Sequence, residues 1–215
     1  GIMRFAGNLY FCIRLVITNK NRNMNTHFIK NLAMVVAGLL MTISCNSNAA
    51  TKEKDVMEKK AKILIVFFSH TGENYAVGNI KVGNTKLVAD EIQKVTGGDE
   101  FEIVADKNYD LPYNDLINVA KEETEKGEKP SFKGEIKNID DYDTIFIGGP
   151  IWWGTYPRVM FTFFDKYNLN GKTIIPFSTH EGSGLGSVVE DLKALYPNAT
   201  FKEAFSIYGH ETRKD

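Results

Sequence analysis

The chain reads as an α/β protein, a three-layer sandwich built on a parallel sheet. Three observations predict it. From Lys62 onward, short apolar runs alternate with longer amphipathic ones. Two of those runs, Lys62–Phe68 and Asp143–Gly149, are apolar at nearly every position, as strands covered on both faces must be. Glycines and polar turns separate the segments. Strands that alternate with helices run parallel through right-handed crossovers, and this puts a helix layer on each side of the sheet.

The elements follow in order. Lys62–Phe68 (KILIVFF) is the first strand. Asn84–Thr96 is a helix, because Leu87, Val88, Glu91, Ile92 and Val95 recur at helical spacing and Gly97-Gly98 stops it. Glu100–Val104 is a brief second strand. Asp115–Lys126 is a charged helix with a narrow apolar stripe (Leu116, Val119, Ala120) that ends at Gly127. Asp143–Gly149 is the third strand and Thr155–Tyr167 the third helix. Lys172–Thr179 (KTIIPFST) is the fourth strand, Leu185–Tyr196 the fourth helix and Phe201–Ile207 the fifth strand.

The charge is unevenly spread. Residues 1–44 carry five bases and no acid, which leaves 21 bases against 27 acids in the rest. An acidic body argues against nucleic acid as the main partner, since phosphate backbones need a basic face. It suits docking on basic patches of redox partner proteins. Met24, Lys30, the apolar run Leu32–Ile43 and Ser44-Cys45 have the layout of a signal peptide, and the run is too short for an ordinary membrane span. The end of this segment resembles a bacterial lipoprotein cleavage box, with Cys45 as the lipidated residue, although Thr42 stands where leucine is usual. A plain signal peptide cut after Ala49 or Ala50 is the alternative. The expected division is an upstream extension or cloning remnant at 1–23, a signal peptide at 24–45, a linker at 46–60 and the folded domain at 61–215. The expected location is outside the cytoplasm, held to the membrane only through a lipid on Cys45, or soluble in the periplasm. Cys12 and Cys45 are the only cysteines, so the body has no disulfide and no cysteine ligand for a metal.

Ligands in such folds bind beyond the carboxyl ends of the strands. After strand one comes Ser69-His70-Thr71-Gly72, a polar stretch, and Gly83-Asn84-Thr85 opening the helix. Hydroxyls, glycines and a helix N-terminus make an anion site. Asn84 stands where a nucleotide-triphosphate loop needs lysine, which points to a terminal monophosphate held by neutral donors. A surface loop with an ordinary Thr or Asn cap is the plainer alternative. After strand three, Gly148-Gly149-Pro150-Ile151-Trp152-Trp153-Gly154-Thr155 places both tryptophans side by side, where a flat ligand would cover them. One of the two indoles is equally suited to capping the core. After strand four, Thr179-His180-Glu181-Gly182-Ser183-Gly184-Leu185-Gly186 is glycine-rich, as close backbone contact with a ligand requires. It is neither a dinucleotide fingerprint nor a nucleophile elbow. No residue is assigned a catalytic role and no metal site is expected.

Taken together, Phe68–Asn74 with Gly83–Thr85, Gly149–Gly154 and Pro176–Gly186 resemble the bacterial flavodoxin family, in its short-chain branch with a Pro-Ile-Trp-Trp-Gly loop. The resemblance runs from about Lys62 to Tyr208. It implies a five-stranded parallel sheet of order 2-1-3-4-5 and noncovalent FMN. It implies that Ser69, His70, Thr71, Asn84 and Thr85 hold the phosphate. Pro150, Ile151, Trp152, Trp153 and Gly154 would grip the flavin ring from one side, and Thr179, His180, Gly182, Ser183 and Gly184 from the other. The insert Glu73–Val82 leaves open which glycine lies under the phosphate.

The function expected is electron transfer through FMN. The alternatives are an FMN-dependent NAD(P)H oxidoreductase acting on a quinone or similar acceptor, and a non-redox binding module of the same fold. One departure stands out. The covering helix that normally follows strand five is missing, because only Tyr208–Asp215 follows it, about 12 Å if helical. An exposed apolar face is expected there, covered in a twofold homodimer or by residues 46–60 folding back through Val56 and Met57.

Overall fold

Strand β1 (Ile63–Phe67) carries no polar residue and is an inner strand of the sheet, paired on both edges. Its side chains alternate between two cores: Leu64 and Val66 enter one, Ile65 and Phe67 the other. That period of two is the strand geometry itself. The structure, a computed structural model, describes residues 62–213. The expected leader, the lipidation site Cys45 and the linker at 46–60 lie outside the described residues.

After β1 the chain forms a small hairpin, β2 (Gly72–Asn74) and β3 (Gly78–Ile80), and then α1 (Asn84–Thr96). Next come β4 (Asp99–Glu102), β5 (Val104–Ala105), α2 (Tyr113–Lys126) and β6 (Phe132–Lys133). The second half contains β7 (Thr144–Pro150), α3 (Arg158–Lys166), β8 (Thr173–His180), α4 (Val188–Leu195), β9 (Thr200–Phe201) and β10 (Phe205–Tyr208). The main sheet runs β4-β1-β7-β8-β10, with β9 also paired to β8, and every pairing in it is parallel. In chain order the five principal strands stand 2-1-3-4-5, as expected.

Helices α2, α3 and α4 bury Leu116, Val159, Met160, Phe163, Phe164, Val188 and Leu192 against one face. On the other face α1 buries Val88, Ala89 and Ile92 against Ile65, Phe67, Phe146, Ile175 and Phe177. Each fully buried side chain of this size contributes about 1.5–3 kcal/mol. Gly148 has no room for a side chain, since a Cβ there would lie 2.0 Å from the Phe177 ring. Pro176 lies opposite Ile147 in the ladder and has no N–H to give. The Tyr156 hydroxyl lies 2.8 Å from both the Ile147 and Phe177 carbonyls and ties β7 to β8 from the side.

Several boundaries differ from expectation for local reasons. The third helix begins at Arg158 rather than Thr155, because Pro157 bars Tyr156 from helical backbone. The fourth begins at Val188 rather than Leu185, since Gly184 and Gly186 adopt φ of 60° and 52°. The second starts two residues early, directly after Pro112. The second strand is cut at Glu102, and Val104–Ala105 leaves the sheet to pair with β6. The fifth strand is split into β9 and β10. Thr200 pairs with Thr173 and Phe205 with Phe177, so one extra residue is accommodated between them, as in a bulge. Among the described residues no α-helix follows β10, only a 3-10 turn at Gly209–Glu211. The apolar face expected to stand open there is buried at Ile175, Phe205 and Ile207.

Candidate functional site

The C-terminal ends of β1, β7 and β8 converge on a cavity of about 480 Å³. Three loops and the start of α1 build most of it. Helix α1 opens after Gly83 with no acidic residue in its first turn, so no carboxylate there offsets the positive end of its dipole. A Cβ on Gly83 would meet the Ser69 Oγ and the His70 carbonyl, at 2.2 and 2.6 Å. The Ser69 hydroxyl accepts the Lys86 N–H at 2.9 Å, which leaves its own hydrogen free to donate. Thr85 is buried, and its Oγ1 lies 2.8 Å from the Thr179 Oγ1. The Arg213 Nε–H donates to the Asn84 Oδ1 at 2.7 Å, which orients the Asn84 amide so that its NH₂ is the free end.

The second loop contains the turn Trp152–Thr155, closed by Trp152 N–H to Thr155 O at 2.8 Å. Its central residues Trp153 and Gly154 have φ of 51° and 89°, a type I′ turn. Tryptophan in that conformation costs about 1–2 kcal/mol and persists only where its surroundings hold it. The Trp153 indole N–H donates to the Ile117 carbonyl at 2.9 Å, and the Lys121 Nζ lies 5.5 Å from its ring. Trp153 is 52% exposed. Trp152 instead packs edge-on against Phe68, His70 and Tyr109. One indole therefore caps the core and the other stands at the rim.

The third loop is stitched to the second. Ser187 N–H donates to the Gly154 carbonyl at 2.8 Å, and Asp191 accepts from Thr155 and Ser187 at 2.6 and 2.8 Å. A Cβ at Gly186 would lie 2.2 Å from the Gly154 oxygen. Within the loop, Gly182 N–H donates to the His180 Nδ1 at 2.9 Å. When neutral, His180 therefore carries its proton on Nε2. Burial pushes His180 below the ordinary histidine range and nearby His210 adds to this, while Glu181 and Glu211 offset part of the effect. Glu181 is held by His210, through its N–H at 2.8 Å and its Nδ1 at 2.5 Å. The His70 Nε2 lies 2.9 Å from the Tyr109 carbonyl, so that nitrogen carries the proton, and the buried Nδ1 has no partner.

Of the residues expected from the sequence, His70, Asn84, Thr85, Pro150, Ile151, Trp152, Trp153, Thr179, His180, Gly182 and Ser183 line this one cavity. Ser69, Thr71, Gly154 and Gly184 lie outside the lining. Ser69 sits behind the helix start, Thr71 is exposed, and the Gly154 and Gly184 carbonyls are engaged by Ser187 and Ser178. The lining also includes Glu73, Asn74 and Tyr75 of the hairpin, Tyr113, Leu116, Ile117 and Ala120 of α2, Glu181 and Gly209. The α2 residues are spaced three and four apart, a helix-face signal, but nothing local says which cavity that face meets. The lining holds two glutamates and no lysine or arginine.

The flavodoxin family model matches residues 62–215. Among solved structures, a candidate flavoprotein from Bacteroides eggerthii is 32% identical, with a TM-score of 0.57 over 71% of this chain and 94% of that one. A second, from Bacteroides uniformis, is 29% identical, with a TM-score of 0.58 over 69% of this chain and 91% of that one. A flavoprotein from Lactobacillus acidophilus, solved in complex with FMN, is 21% identical, with a TM-score of 0.54 over 68% and 93%, and it shares the fold. No curated protein sequence matches the chain significantly. With the family match spanning the whole described domain and the three loops meeting at one cavity, the chain belongs to the flavodoxin family.

Proposed function

We propose that this chain is an FMN-binding electron carrier. The observation that carries the reading is the pairing, in one cavity lined by no lysine or arginine, of the start of α1, which has no acid in its first turn, with a strained tryptophan turn at the end of β7. The first suits a monophosphate and the second a flat ring. The free N–H groups at the start of α1, the Thr85 hydroxyl and the Asn84 amide would hold the phosphate, with Ser69 bracing the helix start from behind through the Lys86 N–H. A hydrogen bond of this kind to a charged group contributes about 1.5–3 kcal/mol. The segments 150–154 and 179–184, fixed to each other through Ser187 and Asp191, would hold the ring between them. FMN, when bound, supplies reversible uptake of one or two electrons. Glu73 and Glu181 at the cavity wall disfavour added negative charge there, which lowers the potential of the final reduction. The His180 Nε2–H is a fixed hydrogen-bond donor at the same wall.

The FMN-dependent NAD(P)H oxidoreductase is the competing reading. A nicotinamide dinucleotide brings several phosphate charges, and the lining offers no lysine or arginine for them. Reductive titration separates the two. The FMN-loaded full chain should take up electrons from dithionite stoichiometrically and keep its absorbance for minutes with NADH or NADPH. Rapid bleaching by either nucleotide would favour the reductase.

A further inference from the structure

We propose that residues 209–213 complete the phosphate site, and that Arg213 is a positioning residue that acts through Asn84 to favour a phosphorylated flavin. The proposal rests on the flavin reading, because it concerns how the anion end of that cavity is built. Among the described residues no α-helix follows β10. The chain instead turns back onto the start of α1, and Gly209 of that turn lines the cavity.

The turn is fastened to both ligand-bearing segments beside it. The Arg213 Nε–H donates to the Asn84 Oδ1 at 2.7 Å, and its Nη2 donates to the Val82 carbonyl. One guanidinium thus grips the chain on both sides of Gly83, where α1 begins. The Thr212 hydroxyl closes the turn on the Gly209 carbonyl at 2.7 Å. Gly209 lies against the same asparagine: a Cβ there would stand 2.3 Å from the Asn84 Nδ2 and 2.9 Å from the Glu181 Oε1. The Asn84 amide and the Glu181 carboxylate therefore flank one point of the cavity wall. His210 engages that carboxylate through its N–H at 2.8 Å and its Nδ1 at 2.5 Å. The turn presents the amide and occupies the acid next to it.

The chemistry of the contact gives it a direction. A guanidinium only donates and stays charged, so it takes the carbonyl end of Asn84 and leaves the NH₂ end for an acceptor. Its pull on the carbonyl oxygen also makes the NH₂ hydrogens better donors, since chained hydrogen bonds strengthen one another. The cavity lining holds no lysine or arginine, so Arg213 delivers its charge from one residue behind the wall. A phosphate monoester responds most to such a donor. It carries about −1.5 to −2 charge at pH 7 and three acceptor oxygens. Riboflavin ends in hydroxyls, which donate as well as accept, and it responds little.

The test is fluorescence titration of the flavin-free full chain with FMN and with riboflavin, in the wild type, Arg213→Gln, Asn84→Ala and the double variant. Arg213→Gln should weaken FMN by about tenfold, comparable to one charge-assisted hydrogen bond, and leave riboflavin unchanged. In the Asn84→Ala background the same change should weaken FMN far less, because the guanidinium then has no amide to act through. An FMN affinity unchanged in Arg213→Gln would overturn the proposal. So would equal losses for both flavins, which a role confined to anchoring the chain end would give. The full tenfold loss in both backgrounds would also overturn it, since the charge would then act across space and not through Asn84. Failure of the wild type to bind FMN at all would overturn the flavin reading itself.

Discussion

Thr85, in the first turn of α1, and Thr179, at the end of β8, meet through their hydroxyl oxygens at 2.8 Å. Two hydroxyls sharing one hydrogen bond leave one hydrogen over, and it belongs to whichever threonine accepts. If Thr179 donates, Thr85 keeps a hydrogen for a ligand in the cavity both residues line, and the chained bonds strengthen each other.

Thr85→Val should therefore weaken FMN by about 10- to 100-fold, since about 1.4 kcal/mol is tenfold, and leave riboflavin nearly unaffected. Thr179→Val should cost FMN less, because Thr85 retains its donor. Fluorescence titration of each variant with both flavins checks this. Equal losses for FMN and riboflavin would show that the phosphate is held elsewhere.

The two tryptophans should separate. Trp152 is wedged among Phe68, His70 and Tyr109, so Trp152→Ala should lower stability by about 2 kcal/mol or more. Trp153 is exposed, and alanine bears the same backbone strain at φ 51° as tryptophan, so Trp153→Ala should change stability little while the flavin midpoint potentials shift. Denaturant unfolding and potentiometry together test the split. A Trp153→Ala protein with unchanged potentials would contradict ring contact at that turn.

Gly148→Ala places a methyl 2.0 Å from the Phe177 ring, so it should destabilise the domain by about 1–3 kcal/mol. The double variant with Phe177→Leu should recover part of the loss, as coupled neighbours do. Simple additivity of the two changes would contradict the packing described.

Much of this was legible in the sequence, for a physical reason. Continuous apolar runs such as KILIVFF have few alternatives to a central strand, and α1 spans Asn84–Thr96 as its periodicity and Gly97 dictate. Local backbone chemistry moved the boundaries that did not hold. Pro157 delays α3, and Gly184 and Gly186 delay α4. The hairpin Gly72–Ile80 was missed because Ile80 is the only buried apolar residue in its two short strands. Tyr75 and Tyr113 carry no local signal either, since their contact spans the first and second crossovers. Within the anion site, the donor types were readable but their spatial order was not: Ser69 braces the helix start, and Thr71 faces solvent.

His180 makes the fold sensitive to acid. Burial lowers its folded-state pKa below the ordinary histidine value of 6.5, with His210 acting the same way. A base depressed in the folded state contributes stability that is complete above its unfolded value and is lost as pH falls through the folded one. The melting temperature should thus fall as pH drops below 6.5, and His180→Asn should reduce that slope. The asparagine carbonyl replaces the acceptor for Gly182 N–H. An identical slope in the variant would assign the acid sensitivity to other groups.

The central claim is that this cavity, lined by no lysine or arginine, takes FMN through a monophosphate site at the start of α1. Its most direct measurement is equilibrium titration of the flavin-free full chain with FMN, riboflavin and FAD, following flavin and indole emission together. The account predicts one FMN per chain, both emissions quenched, and weaker binding of riboflavin and FAD. Tight FAD binding with none for FMN, or no flavin binding at all, would contradict it.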